Sequence, residues 1–281
     1  MTLATVQYFT HDGLQLAYRD SAPDDSTRPV VLLLHGFPDS SRMWAQQMAA
    51  LHARGFRAVA PDTRGCGDSD VSQRRRDYRA PVVAADFVAL LDHLGAERAD
   101  IVGHDWGAVL AWVMAGHWPE RVRRLVALSV GHPDAYAAGG WAQKKASWYM
   151  GLFALGGVAE RALLGRGRFS LERVLPDHPD ATEVRHRLAR PDRTTAALRI
   201  YRANLWALLT GSQPPVAADT LGVWSDGDRY LVEAQMRASA DFVRGSWRYE
   251  RLPGGHWIPL TQGEALNTLL AEHLGEAATT P

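Results

Sequence analysis

The clearest chemical signal in this chain is Gly103-His104-Asp105-Trp106-Gly107. A short apolar run, 98–103, leads into it, a helical pattern follows, and glycines stand two positions either side of a carboxylate. Small flanking residues let a strand turn sharply into a helix, which lifts the central side chain toward the free N–H groups of the helix N-terminus. A lone Gly-x-Asp-x-Gly is also what a helix N-cap looks like. A second loop strengthens the nucleophile reading: His35-Gly36-Phe37-Pro38 follows the apolar run 29–35. There the backbone N–H of Phe37 can aim at the same point as that of Trp106, making an oxyanion hole.

Two further strand ends complete a constellation. Trp224-Ser225-Asp226-Gly227-Asp228 follows an apolar run, and Pro253-Gly254-Gly255-His256-Trp257 follows 247–252, which gives the chain order nucleophile, acid, base. Asp228 is the expected acid, with Asp226 and Asp134 as competitors that turns would also favour. His256 is the expected base, one of 11 histidines in the chain. Asp at the nucleophile position matters chemically. A serine that attacked a saturated carbon would leave a stable ether, whereas a carboxylate leaves an ester that water can cleave. With an ordinary pKa near about 3.9, Asp105 needs no base to ionise it, which leaves His256 for a second step.

The elements that must position these residues alternate. Strand-like runs at 29–35, 56–60, 98–103, 124–129, 221–224 and 247–252 are separated by helical patterns. Among them, Val83, Phe87, Leu90, Leu91 and Leu94 stop at Gly95, Val109, Trp112, Val113 and Gly116 precede Pro119, and Leu266, Leu269, Leu270 and Leu274 precede Gly275. That alternation predicts a mostly parallel sheet with helices on both faces. It breaks after Val130, and no buried strand is evident up to Pro214-Pro215. The expected organisation is a core of 1–133 and 216–281 with a helical cap, 134–215, inserted over the site. The tail 277–281 reads as frayed.

Bulk properties narrow the class. Charge balances at 31 Lys plus Arg against 31 Asp plus Glu, so neither nucleic acid nor an anionic membrane is suggested as a partner. The single cysteine, Cys66, cannot make an internal disulfide, and no His and Cys group has metal-ligand spacing. No apolar stretch reaches about 18 residues, and residues 1–8 lack the pattern of a signal segment, so the expectation is a cytoplasmic protein with no metal and no organic cofactor. Oligomeric state is not legible, and a homodimer stays open.

From about residue 5 to residue 275 the chain resembles the epoxide hydrolase branch of the α/β-hydrolase fold family. The resemblance lies in the His-Gly-Phe-Pro loop, the Gly-His-Asp-Trp-Gly elbow, Asp62-x-Arg-Gly-x-Gly-x-Ser69 and Gly255-His256-Trp257. It implies two cap tyrosines facing the nucleophile, which fall on Tyr149 in Ser147-Trp148-Tyr149-Met150 and on Tyr201 in Ile200-Tyr201-Arg202-Ala203-Asn204. Tyr201 also shares helical spacing with Leu198, Leu205 and Leu208, the pattern of a packed core aromatic. Tyr136 and Tyr230 are the substitutes. At Leu155-Gly156-Gly157 the sequence departs from the family, which often has a proline just before the segment matching Gly157-Val158-Ala159-Glu160.

The expected activity is hydrolysis of a small hydrophobic epoxide by water to a vicinal diol through an ester on Asp105, with Phe37, Trp106 and Trp148 against the substrate. Trp141, Trp148, Phe153 and Trp206 make the cap aromatic, which suits an apolar ligand or simply a cap core. A haloalkane dehalogenase is the alternative, since it shares the Asp nucleophile and the following Trp. Such enzymes usually place a second side-chain donor where this chain has Phe37, and haloacetate dehalogenases carry Arg at the position of Trp106. A non-catalytic binding protein on the same fold is a rival that a broken triad would favour. The elbow itself disfavours a serine esterase or lactonase.

Overall fold

The computed structural model describes residues 4–210 and 212–275, so the tail 277–281 lies outside it, as does the side chain of Leu208. Eight strands form one sheet: β1 (Val6–His11), β2 (Leu14–Asp20), β3 (Val30–Leu34), β4 (Arg57–Pro61), β5 (Ala99–His104), β6 (Val122–Leu128), β7 (Asp219–Ser225) and β8 (Trp247–Leu252). Their order is β1-β2-β4-β3-β5-β6-β7-β8. The pairs β1/β2 and β2/β4 are antiparallel, and the rest of the sheet is parallel.

The central strands are mostly apolar because helices cover both faces, and the polar residues they do bury, Arg57, Asp100 and His104, lie at or near strand ends. Every residue of β3, β4 and β5 is buried. On one face α1 (Ala45–Ala53) and α12 (Gly263–Leu274) pack on Val31, Leu33, Val102 and Leu128. On the other, α2 (Ala80–His93) and α3 (Trp106–His117) pack on Leu32, Leu34, Ile101 and Leu125. α3 is buried on nearly all sides, hence its apolar sequence Trp-Gly-Ala-Val-Leu-Ala-Trp-Val-Met-Ala.

Among the described residues, six α-helices lie between β6 and β7: α4 (Gly140–Ala146), α5 (Trp148–Ala154), α6 (Val158–Leu164), α7 (Leu171–Val174), α8 (Ala181–Leu188) and α9 (Arg193–Thr210). At the departure from the family pattern, Gly157 takes φ +75° and starts α6, with its N–H donating to Glu160 Oε2 at 2.7 Å. Most residues with a side chain are strained at that φ, so glycine is what position 157 favours. Two more helices, α10 (Glu233–Ala238) and α11 (Ile258–Thr261), flank β8. Among the described residues, no helix is long and apolar enough to cross a membrane.

Candidate active site

The site collects at the ends of four parallel strands, β3, β5, β7 and β8, the edge where open α/β sheets place their ligands. Asp105 caps the N-terminus of α3 with φ 53° and ψ −123°, a left-handed conformation that a non-glycine residue adopts at a cost of about 1–3 kcal/mol. The turn closes only because Gly107 has no side chain, since a Cβ there would overlap the carbonyl of Leu34. Strain of this kind fixes the direction of the Asp105 carboxylate above the sheet.

Backbone groups meet that carboxylate. Phe37 N–H donates to Asp105 Oδ1 at 2.8 Å, and the N–H of Trp106, next in the chain, opens α3 beside it. On its other side His256 Nε2 lies 3.6 Å from Asp105 Oδ2, while His256 Nδ1 is 2.8 Å from Asp228 Oδ2. Asp228 is itself held by the N–H groups of Tyr230 and Leu231, at 2.8 Å and 3.0 Å from Oδ1. Asp226 instead accepts from the Gly254 N–H, and Asp134 from Ser212 and Gln213, so neither is bonded to His256.

The charges are set by this enclosure. Burial works to raise the Asp105 carboxyl, but the contact and charge of His256, with His104 and the Trp106 N–H, more than offset it and hold the group below its ordinary value. Burial works equally against a charged His256, yet Asp228 and Asp105 on either side push the imidazole up to about 10. The resting site is therefore an imidazolium between two carboxylates. His104 goes the other way: burial, then the charge of His256, push it down to about 4. Neutral at pH 7, it donates from Nε2 to the His256 carbonyl at 2.9 Å, which secures the base from behind.

A narrow pocket opens over Asp105, lined by Trp106, Val109, Val130, Tyr136, Tyr149, Met150, Tyr201 and Leu231. Tyr149 (α5) and Tyr201 (α9) thus reach the nucleophile from two separate helices, their rings 6.2 Å apart and nearly perpendicular. Burial, with the Asp105 charge second, raises both phenols well above 10, so both are protonated donors at neutral pH. The Tyr201 ring also packs edge-on against that of Trp106, with centroids 5.1 Å apart. Of the substitutes, Tyr230 donates its hydroxyl to the Val174 carbonyl at 3.0 Å, whereas Tyr136 does line the pocket and bonds Ser147. Trp106 is also a wall of a second, small cavity, bounded by Phe37, Thr63, Cys66, Tyr78 and Ile200.

Trp148 is not brought to the pocket. It is 52% exposed and packs on Tyr149 and Phe169 from outside, while Trp141 and Trp206 are 83% and 75% exposed. Of the aromatics expected to face a ligand from the cap, only Phe153 is enclosed, its ring tilted or edge-on to those of Phe37, Tyr149 and Tyr201. Sequence reasoning also missed a buried lock beside the site. His178 Nε2 lies 3.2 Å from Asp39 Oδ1, and Trp257 Nε1 donates to Asp39 Oδ2 at 3.1 Å, tying the loop after α7 to the loop of His256. Nothing in the local spacing signals it, because the partners are 139 and 218 positions apart in the chain.

One group of three candidate metal ligands occurs among the described residues, His11, Asp12 and Asp86. The Arg64 guanidinium sits in it, donating from Nε to Asp86 Oδ2 at 2.8 Å, so a protein cation holds the place a metal would need.

Fold and site together define a class: a wound α/β sheet carrying a nucleophile elbow, an acid and a histidine on successive strand ends, with a carboxylate as the nucleophile. The chain belongs to the α/β hydrolase fold family, whose profile matches residues 29–262. It is 30% identical over 272 residues to Epoxide hydrolase 3 of Xenopus tropicalis, covering 91% of this chain and 74% of the relative. Among solved structures it is similar to Epoxide Hydrolase A from Mycobacterium thermoresistibile, at 26% identity and a TM-score of 0.81, covering 98% of this chain and 99% of that one. A hydrolase described among novel epoxide hydrolases from hot-environment metagenomes gives 25% identity, a TM-score of 0.84 and the same coverage.

Proposed function

We propose that this protein is an epoxide hydrolase that opens a hydrophobic epoxide to a vicinal diol through an ester on Asp105, with 134–215 acting as its cap. The observation that carries the reading is the pairing of an ionised carboxylate on a strained elbow with two protonated, buried tyrosines in one pocket. The names of the relatives support it.

In the first step the Asp105 oxygen forms a bond to an epoxide carbon as the carbon–oxygen bond breaks, and the departing oxygen takes a proton from Tyr149 or Tyr201. His256, protonated at rest, returns a proton to that tyrosine. Esterification also removes the Asp105 charge, one of the two that kept His256 protonated, so the imidazole becomes a base only once there is an ester to hydrolyse. In the second step His256 takes a proton from water, whose oxygen attacks the ester carbonyl while the Phe37 and Trp106 N–H groups hold the oxyanion. His256 then protonates the leaving diol oxygen, and the proton left on the Asp105 carboxyl passes back to the imidazole.

Dehalogenation fits less well. Phe37 offers no side-chain donor, and the Trp106 ring is packed edge-on against Tyr201, whose protonated phenol suits an oxygen leaving group. Trapping distinguishes the readings: with styrene oxide, the His256→Gln variant accumulates a mass increase equal to the epoxide on the peptide containing Asp105, and Asp105→Ala abolishes turnover. Full activity of Asp105→Ala, or bromide release from a bromoalkane without diol from the epoxide, overturns the proposal.

A further inference from the structure

The net charge of zero conceals a strong local imbalance. Residues 140–170 carry Lys144, Lys145, Arg161, Arg166 and Arg168 against a single acid, Glu160. All five cations are exposed, while Glu160 is bonded to Arg202 Nη1 at 2.7 Å. The same stretch exposes large apolar side chains: Trp141, Trp148, Leu155 and Val158 each have more than half of their surface in solvent. Cations and rings are interleaved there. The Lys144 ammonium stands 4.7 Å from the Trp141 ring centroid, and the Arg168 guanidinium lies 4.8 Å from Phe169, whose ring is 6.1 Å from Trp148.

Leaving several large apolar side chains in water is unfavourable unless something covers them. Tryptophan and basic residues together match one environment closely. At a bilayer surface the indole sits at headgroup level, and Lys and Arg meet anionic lipid, each basic residue contributing about fivefold in affinity. A second copy of this chain fits worse, because symmetric pairing would set five cations against five.

We propose that the outer face of α4, α5 and α6, with the loop 165–169, docks the protein on an anionic lipid surface. Occupancy of this face does not depend on the catalytic reading. If that reading holds, docking places Tyr149 and Met150, which line the Asp105 pocket from the same helix as Trp148, close to a bilayer in which an apolar epoxide dissolves.

The test is sedimentation of the protein with phosphatidylcholine vesicles and with vesicles that also contain phosphatidylglycerol, at low and high salt. The expected result is retention on the anionic vesicles only, reversed by salt, with tryptophan emission shifted to the blue. The double variant Lys144→Glu with Lys145→Glu binds at least about 25-fold more weakly, about fivefold per lysine. Trp141→Ala weakens binding and reduces the emission shift, and unchanged thermal unfolding shows that the variants are folded. No retention on anionic vesicles overturns the proposal, as does equal retention on neutral ones. So does a dimer in sedimentation equilibrium that Trp141→Ala breaks without any vesicle binding, since a second copy would then cover the face.

Discussion

Replacing Asp105 with Asn keeps the shape of the side chain and removes one unit of charge 3.6 Å from His256 Nε2. At an effective dielectric of about 20, a charge pair at that distance is worth about 4–5 kcal/mol, or about three pH units in the pKa of the partner. His256 stands at about 10 in the native site, so in the Asp105→Asn variant it should titrate near about 7. That variant carries the same charge as the proposed ester, so it reports whether His256 is released as a base when the ester forms. The assay is an NMR titration of the histidine ring protons, with His256 assigned by its loss in His256→Gln. Stability gives a second readout with a definite sign. A folded-state pKa above the unfolded value of 6.5 stabilises the protein fully below pH 6.5, and this contribution is lost as pH rises to about 10. The melting temperature of the native protein should fall across that window, and the fall should largely vanish in Asp105→Asn. A His256 that titrates at the same pH in both proteins, or one already neutral in the native protein at pH 7, refutes the electrostatic account.

Two other perturbations separate chemistry from support. Changing Tyr149 or Tyr201 to Phe removes one donor to the developing alkoxide, so each should slow ester formation by about 100- to 1000-fold in single-turnover experiments. Ester hydrolysis should be little changed, and a defect confined to that second step would contradict the assignment. His178→Ala leaves the buried Asp39 carboxylate with Trp257 Nε1 as its remaining side-chain partner, which should cost about 1.5–3 kcal/mol of stability in urea unfolding. A loss too small to resolve would show that the lock carries little.

The parts of the site that lie within a few residues of a strand end were legible in the sequence. Asp105 is marked by its flanking glycines, Phe37 by the loop after β3, and His256 by Gly-Gly before it. The choice of Asp228 over Asp226 was legible only in part, from spacing after β7, because both sit in one turn and the path of the chain is what turns the former toward Nδ1 of His256. Nor did helical spacing tell inward aromatics from outward ones. Tyr149 and Trp148 are neighbours in α5, yet one lines the pocket and the other lies in solvent. The lock of Asp39, His178 and Trp257 depends wholly on long-range packing. By contrast, β1 and β2 were missed although a local signal exists: Asp12-Gly13, both at positive φ, is a two-residue hairpin turn.

A single turnover in ¹⁸O water, with enzyme in excess over styrene oxide, tests the ester on Asp105 most directly. Water that attacks the ester carbonyl leaves its oxygen on the enzyme. The account therefore predicts unlabelled diol in the first turnover and label in the Asp105 carboxylate, whereas label entering the diol at once, with none on Asp105, would show that water attacks the epoxide itself.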